Sequence, residues 1–379
     1  MPAPLPGFQP QNWEHLGPWV RLWGITHAQL PPTTETTPDG LAAFFLSLLS
    51  EADPFLDSMS PRSGVQRYGG IDYPWHAGGS KKLAGSAAKV DLWKRHVTKE
   101  ILQRIAARGG LEGSMPNCPA ADRVAGGGET WVLRRSVHAD APAEGTASWA
   151  EFVDCIRDRH AETEDAFTPT VLAHREAMGW DCEGVEVADG GLTWGRFAMK
   201  LLEVKHKIPP PLNNRVFTVL QFTCAALPED EKKEFLVVSV PIADWKTAPQ
   251  AEIAKEKGVV LGAYVSIERV RKMDDGNIEW IMATASDAKG VLPGWIQNMS
   301  VPGQIAKDVP MFFSWLAGER SHTGHGATSV QQKANGENGQ STQADKTRGA
   351  APAALQTEAV PEATATILGS ERKSPTSKA

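Results

Sequence analysis

The chain has 379 residues, 41% of them hydrophobic, with 39 Lys and Arg against 45 Asp and Glu. That length accommodates one large or two ordinary domains, and a formal net charge of −6 excludes the broad basic surface typical of nucleic-acid modules. The four cysteines, Cys118, Cys155, Cys182 and Cys224, include no C-x-x-C pair, so neither a disulfide framework nor a zinc knuckle is indicated.

The first residues, MPAPLPGFQPQNWEH, lack a charged start followed by an apolar run, so no secretory signal is expected. The apolar stretch Leu41 to Leu49 falls well short of the ~20 residues that cross a bilayer. The thiols read as reduced, and the protein as soluble and cytoplasmic. Asp39 suits an N-cap before a buried helix from Leu41 to Ala52, ended by Asp53-Pro54. From Ser58 the text turns to Gly, Ser, Pro and basic residues. Within it, Val90, Trp93, Val97, Ile101 and Ile105 recur every three or four positions, which predicts one amphipathic helix over Ala87 to Ala107. WVLRRSVH follows as a partly alternating strand, and Ser148 with Glu151 forms a capping box opening a helix through Glu162.

After Gly191 come five strand-like runs: GRFAMKLLEVKHKI, VFTVLQFTCAAL, EFLVVSVPI, VVLGAYVSIERVRKM and IEWIMATAS. Their succession, separated by Pro, Asp, Glu and Gly, indicates an antiparallel sheet and an α+β fold. Beyond Pro302 a helix places Ile305, Val309, Phe312, Phe313 and Leu316 on one stripe, with Gln304, Lys307, Asp308 and Ser314 mostly elsewhere. Past Gly318 the Ser-, Thr-, Gln- and Ala-rich text holds no aromatic residue and is expected to be disordered. Its last residues, Ser377-Lys378-Ala379, resemble a peroxisomal address without the terminal Leu.

Two motifs carry a resemblance. The end of the last strand, its K-G-x-x-P-x-W turn (Lys289, Gly290, Pro293, Trp295) and the closing helix are similar to the C-terminal signature of START domains, in the Bet v1-like helix-grip superfamily. LLEVKHKIPPPLNNRVFTVLQF resembles a second START pattern at Glu203, Val204, Lys205, Pro209, Asn214 and Arg215, while Val216 stands where many START domains carry an acid. RRSVHADAPAEGTASWAEF with HKIPPPLNNRVF resembles more closely a fungal START-like family of unassigned function. The resemblance covers about Thr130 to Gly318. It divides the chain into an N-terminal segment with the first helix (1–57), a Gly/Pro-rich insertion (58–128), the START-like domain (129–318) and a tail (319–379).

The resemblance implies a curved antiparallel sheet around a long C-terminal helix, with an apolar cavity between them. Phe197, Met199, Leu201, Phe222, Trp280 and Met282 on the strands, with Ile305, Val309, Phe312 and Phe313 on the helix, are the implied lining; each also suits ordinary core. If Glu203 and Arg215 face each other across a hairpin centred near Pro209, the pair could orient a ligand's polar end or simply close the sheet. The implied function is binding, and transfer, of a hydrophobic lipid or sterol by a monomer, with transient membrane contact as the ligand is exchanged. The alternatives are a cyclase- or aromatase-like enzyme using Tyr264, His206 or Arg215 as acid or base, and an interaction scaffold. No G-x-S-x-G elbow, dinucleotide fingerprint or P-loop is present. No cofactor is indicated, and His160 with Glu162 and Glu164 reads as a solvated helix face rather than a metal site.

Overall fold

A computed structural model describes residues 17–34, 36–62, 75–111, 128–287 and 294–333, excluding the side chains of 108–111, 294–300 and 323–333. By contacts the chain divides into the units Met1–His325 and Gly326–Ala379. The Lys289 to Pro293 part of the turn motif, Cys118 and the tail beyond Lys333 lie outside the described residues.

Helix α1 spans Pro38–Asp57, with Thr37 as N-cap accepting from the amide of Gly40 and Pro38 in the first turn. Asp39 therefore lies inside the helix. Pro54 does not end it either: a proline near the last turn forfeits one amide hydrogen bond, and the burial of Phe55 and Leu56 keeps the chain helical to Asp57.

The expected helix over Ala87 to Ala107 is two elements. Strand β1 (His76–Lys81) and strand β2 (Val90–Val97) pair as a hairpin, and helix α2 begins only at Lys99, running to Leu111. In β2, Val90 and Leu92 face one side while Arg95 and Val97 are buried on the other, a two-residue alternation that three-to-four spacing had disguised. The β1–β2 hairpin within the insertion is thus part of the sheet.

Strand β3 (Glu129–His138), helix α3 (Trp149–Phe152), a π-turn at Val153–Asp158 and helix α4 (His160–Phe167) follow. The Ser148/Glu151 capping box forms as expected, but the helix it opens is interrupted. Strands β4 (Val171–Trp180) and β5 (Val187–Asp189) come next. Strands β6 (Leu192–His206), β7 (Arg215–Leu227), β8 (Glu234–Pro241), β9 (Val260–Lys272) and β10 (Ile278–Asp287) correspond to the five runs read from sequence; a short helix α5 (Glu229–Lys232) lies between β7 and β8. Helix α6 runs Gly294–Lys333, so the tail boundary placed at Gly318 falls inside it. Arg320 continues the docking by pairing with Glu151 at 2.7 Å.

The strands form one sheet in the order β1-β2-β3-β10-β9-β8-β7-β6-β4, antiparallel throughout, with β5 on β6 and a short parallel pairing between β7 and β9. Its outer face is covered by α1: Phe45 stacks on Phe197 at 4.2 Å and meets Phe222 at 5.3 Å. Its inner face carries α6, α3 and the π-turn, with Phe152, Cys155, Ile156, Trp280, Ile305, Val309, Phe312, Phe313 and Leu316 in one buried cluster.

The outer face also buries charge. Arg62 is bound by Asp53, Asp57 and Glu234, Arg269 by Asp57 at 2.6 Å, and Glu279, fully buried, by Arg271 and Arg135. Nearby, Glu51 accepts from the amides of Trp19 and Val20. Burial pushes its carboxyl up to about 7 against the opposing Arg21 charge. A carboxyl whose pKa is higher folded than unfolded takes up a proton on folding, so this contribution is fully present below the unfolded value of about 4.5 and is lost as pH rises to about 7. The loss amounts to roughly 3 kcal/mol at most. Urea titrations across that pH range are expected to give Glu51→Gln a flatter stability profile than the wild type; parallel profiles would refute this.

Candidate functional site: the interior beneath the C-terminal helix

Strand alternation sorts the expected lining onto two faces. Phe197, Met199, Leu201 and Phe222 belong to the core under α1, whereas Trp280, Ile305, Val309, Phe312 and Phe313 are packed under α6 with Met282 against them. The first four are therefore not walls of a space beneath α6. The Glu203–Arg215 pair does not form as expected. Register sets Glu203 opposite Thr218 and Arg215 opposite His206, which puts the two side chains on opposite faces. Fully buried Glu203 instead takes Arg175 at 3.0 Å and the amides of Glu252, Ile253 and Ala254, fastening a loop to the outer face. Arg215 donates to the carbonyl of Asn213.

Beneath the part of α6 from Val309 to Leu316 the interior is solid. Trp280 meets Phe152, Phe312 and Phe313 at ring distances of 5.5, 5.4 and 6.1 Å, and His138 lies 4.7 Å from Phe313. Burial, reinforced by the Arg134 charge, holds His138 down to about 3, so it is a neutral member of this cluster.

Toward the start of α6 the inner face changes character. Buried Arg134 lies 4.1 Å from the Trp280 ring centroid and pairs with Glu268 at 2.8 Å; Glu268 also accepts from the Trp280 indole at 2.6 Å. Among the described residues, the Nε and Nη1 of Arg134 have no hydrogen-bond partner. Asp308, one turn beyond Ile305, points inward rather than to solvent as its place off the stripe suggested. Burial pushes its carboxyl up to about 7; Arg134 opposes this, and Glu164 and Glu268 add to it. Burial likewise raises the Tyr264 phenol, with Glu164 contributing and Ser239 opposing.

Asp308 and Tyr264 are only half-buried, as are their inner-face neighbours Ser266 and Met282. Burial disfavours the charged forms of Asp308 and Tyr264, although each side chain keeps some accessible surface. Glu164 and Glu268 act on both Asp308 and Tyr264, so these groups surround one region. Next to it lies an apolar patch of Leu202, Val204 and Val219 with Val171 and Tyr264, and Phe217 meets Tyr264 edge-on at 5.5 Å. The arrangement combines an apolar wall with charge at one end, the composition of a site for an amphiphilic small molecule.

A separate open cleft of about 240 Å³ lies between the π-turn and the β7–β8 connection, lined by Trp149, Val153, Arg157, Glu229 and Lys233 among others. Its charged groups are largely spent on one another, as in Arg157 with Asp158 and Glu229. Among the described residues no group of His, Cys, Asp or Glu is arranged to hold a metal ion, and no helix is long and apolar enough to cross a membrane.

An antiparallel sheet closed on its inner face by a long C-terminal helix, with a second helix on its outer face, defines a START-like helix-grip fold. Residues 131–316 match the model of a family described as a protein of unknown function, DUF3074. No curated protein matches the sequence. Among solved structures, human STARD10 aligns at 15% identity and a TM-score of 0.41, over 73% of this chain and 83% of that one. Human StAR-related lipid transfer protein 5 aligns at 10% identity and a TM-score of 0.42, over 73% and 95%. The lipid transfer and protein localization domain of human StarD13 aligns at 14% identity and 0.37, over 64% and 88%.

Proposed function

We propose that this protein binds a hydrophobic small molecule, a lipid or sterol with one polar end, in the space between the inner face of the sheet and the first half of α6. The observation that supports this reading most is the set of half-accessible interior side chains, Tyr264, Ser266, Met282 and Asp308, beside the apolar patch of Leu202, Val204 and Val219. Entry and release require α6 to move. Pro302 and Pro310 lie inside it, and each removes one helical hydrogen bond, so the stretch before Val309 is the least costly to displace.

A panel of phospholipids, sterols and fatty acids in thermal-shift assays tests the reading. A ligand that binds only the folded state adds about 2.7 kcal/mol of stability at a hundredfold excess over Kd, and an unchanged melting temperature across the panel would count against it. The interior acid also keeps an enzyme reading open. Asp308, near neutrality, is suited to proton transfer, with the neutral Tyr264 phenol beside it as a hydrogen-bond donor. Turnover of an added ketide that Asp308→Asn abolishes, with ligand uptake retained, would favour a cyclase; uptake without turnover favours carriage.

A further inference from the structure

We propose that the open cleft between the π-turn and the β7–β8 connection is a second binding site, for a small aromatic carboxylate, and that it is separate from the ligand site proposed above. The two lie at opposite ends of β8. The strand leaves the cleft at Glu234, and its pairing of Ser239 with Ser266 carries the far end toward Tyr264, roughly 20 Å away at the rise of an extended chain. One wall of the cleft is apolar: the half-buried Trp149 indole, 5.6 Å from the Phe235 ring, with Val153 and Ala225. Its volume of about 240 Å³ falls below the ~300–1,000 Å³ of pockets for drug-sized ligands, so it takes one ring system and not an acyl chain.

Charge decides the kind of ring. Each carboxylate that lines the cleft is already held by an arginine: Asp154 by Arg159, Asp158 by Arg157, Glu229 by Arg157 and Arg196, and Glu234 by Arg62. A cationic guest therefore finds no spare acid. Lys233 is the exception among the lining charges. Lys272, whose amide donates to the Lys233 carbonyl at 2.9 Å, has Asp140 at 2.7 Å, but among the described residues no carboxylate stands at ion-pairing distance from Lys233. Unpaired surface lysines are ordinary, yet this one is half-buried and follows α5 directly with a backbone φ of +24°, a region that asparagine or glycine enters at less steric cost. A lysine placed there at that cost points to use of its ammonium. One spare positive charge matches a monoanion, and the face of Trp149 matches a flat ring.

The test titrates the full chain with indole-3-acetate, followed by saturation-transfer NMR, beside its neutral counterpart indole-3-ethanol. An acid of this size is expected to bind with a Kd of about 1 mM, and the alcohol, which cannot form the charge-assisted bond, roughly tenfold more weakly. Lys233→Asn should weaken the acid by a similar factor while melting no lower than the wild type, because asparagine suits the backbone. Ala150→Trp, at an exposed lining position, should abolish binding of both compounds by filling the cleft. No binding of the acid, equal binding of acid and alcohol, or undiminished binding by either variant would overturn the proposal. A Lys233→Asn protein that melts well below the wild type would assign the lysine a structural role and overturn it equally.

Discussion

Replacing Trp280 by alanine is expected to lower the unfolding free energy by roughly 3–5 kcal/mol, the range for truncating a large buried aromatic. The indole is 1% exposed, meets Phe152, Phe312 and Phe313, and covers the Arg134 guanidinium. Truncation would open a cavity in the layer that docks α6, and it would also remove the indole donor to Glu268. Trp280→Phe restores most of the packing but not that donor, so a smaller loss of about 1–3 kcal/mol is expected. Urea denaturation measures both, and equal losses would show that the hydrogen bond, not the packing, dominates.

Removing Glu279 should be comparably severe. Its carboxylate is fully buried in β10 and meets Arg271 at 2.8 Å, Arg135 at 2.5 Å and the Ser60 hydroxyl at 2.7 Å, with Arg269 at 3.7 Å. Burial favours the neutral acid, but the arginines prevail and hold the group below its usual range. Glu279→Ala leaves the mostly buried Arg271 without its carboxylate partner beside Arg269, which keeps Asp57, at a cost of about 3–5 kcal/mol. The arginine layer binds the end of α1 through Asp57 and Ser60, so amide exchange in α1 should accelerate first. A loss below about 1 kcal/mol, within the range of exposed pairs, would mean that water reaches the layer.

Much of the sheet was legible in the sequence because β6 to β10 are long, β-branched and separated by turn residues. The stripe of α6 was equally plain, since apolar side chains at three-to-four spacing have one face to bury. Strand β4 was not legible: VLAHREAMGW has bulged register and mostly half-buried side chains, so neither period stands out. In β2, a helix-like spacing of Val90, Trp93 and Val97 hid a strand, because Trp93 and Val97 share a face in either conformation.

The candidate site was harder to read. Sequence gave the apolar residues but not which face of the sheet each would take, since that depends on α1 and α6 covering opposite sides. The charged groups carried a signal in hindsight: Arg134, Glu268 and Asp308 each interrupt apolar text at an inward position. Single charges of this kind usually lie on a solvated face, and only the fold brings these three together.

Native mass spectrometry of the wild type beside Met282→Trp tests the central claim most directly. Met282 lies partly buried on the inner face beneath α6 and carries no charge, so a larger side chain there would fill the proposed space while the polar groups remain. The wild type is expected to retain a bound hydrophobic molecule and the folded variant to lose it. A wild type that remains empty when offered the full lipid panel, or a variant that binds as well as the wild type, would contradict the account.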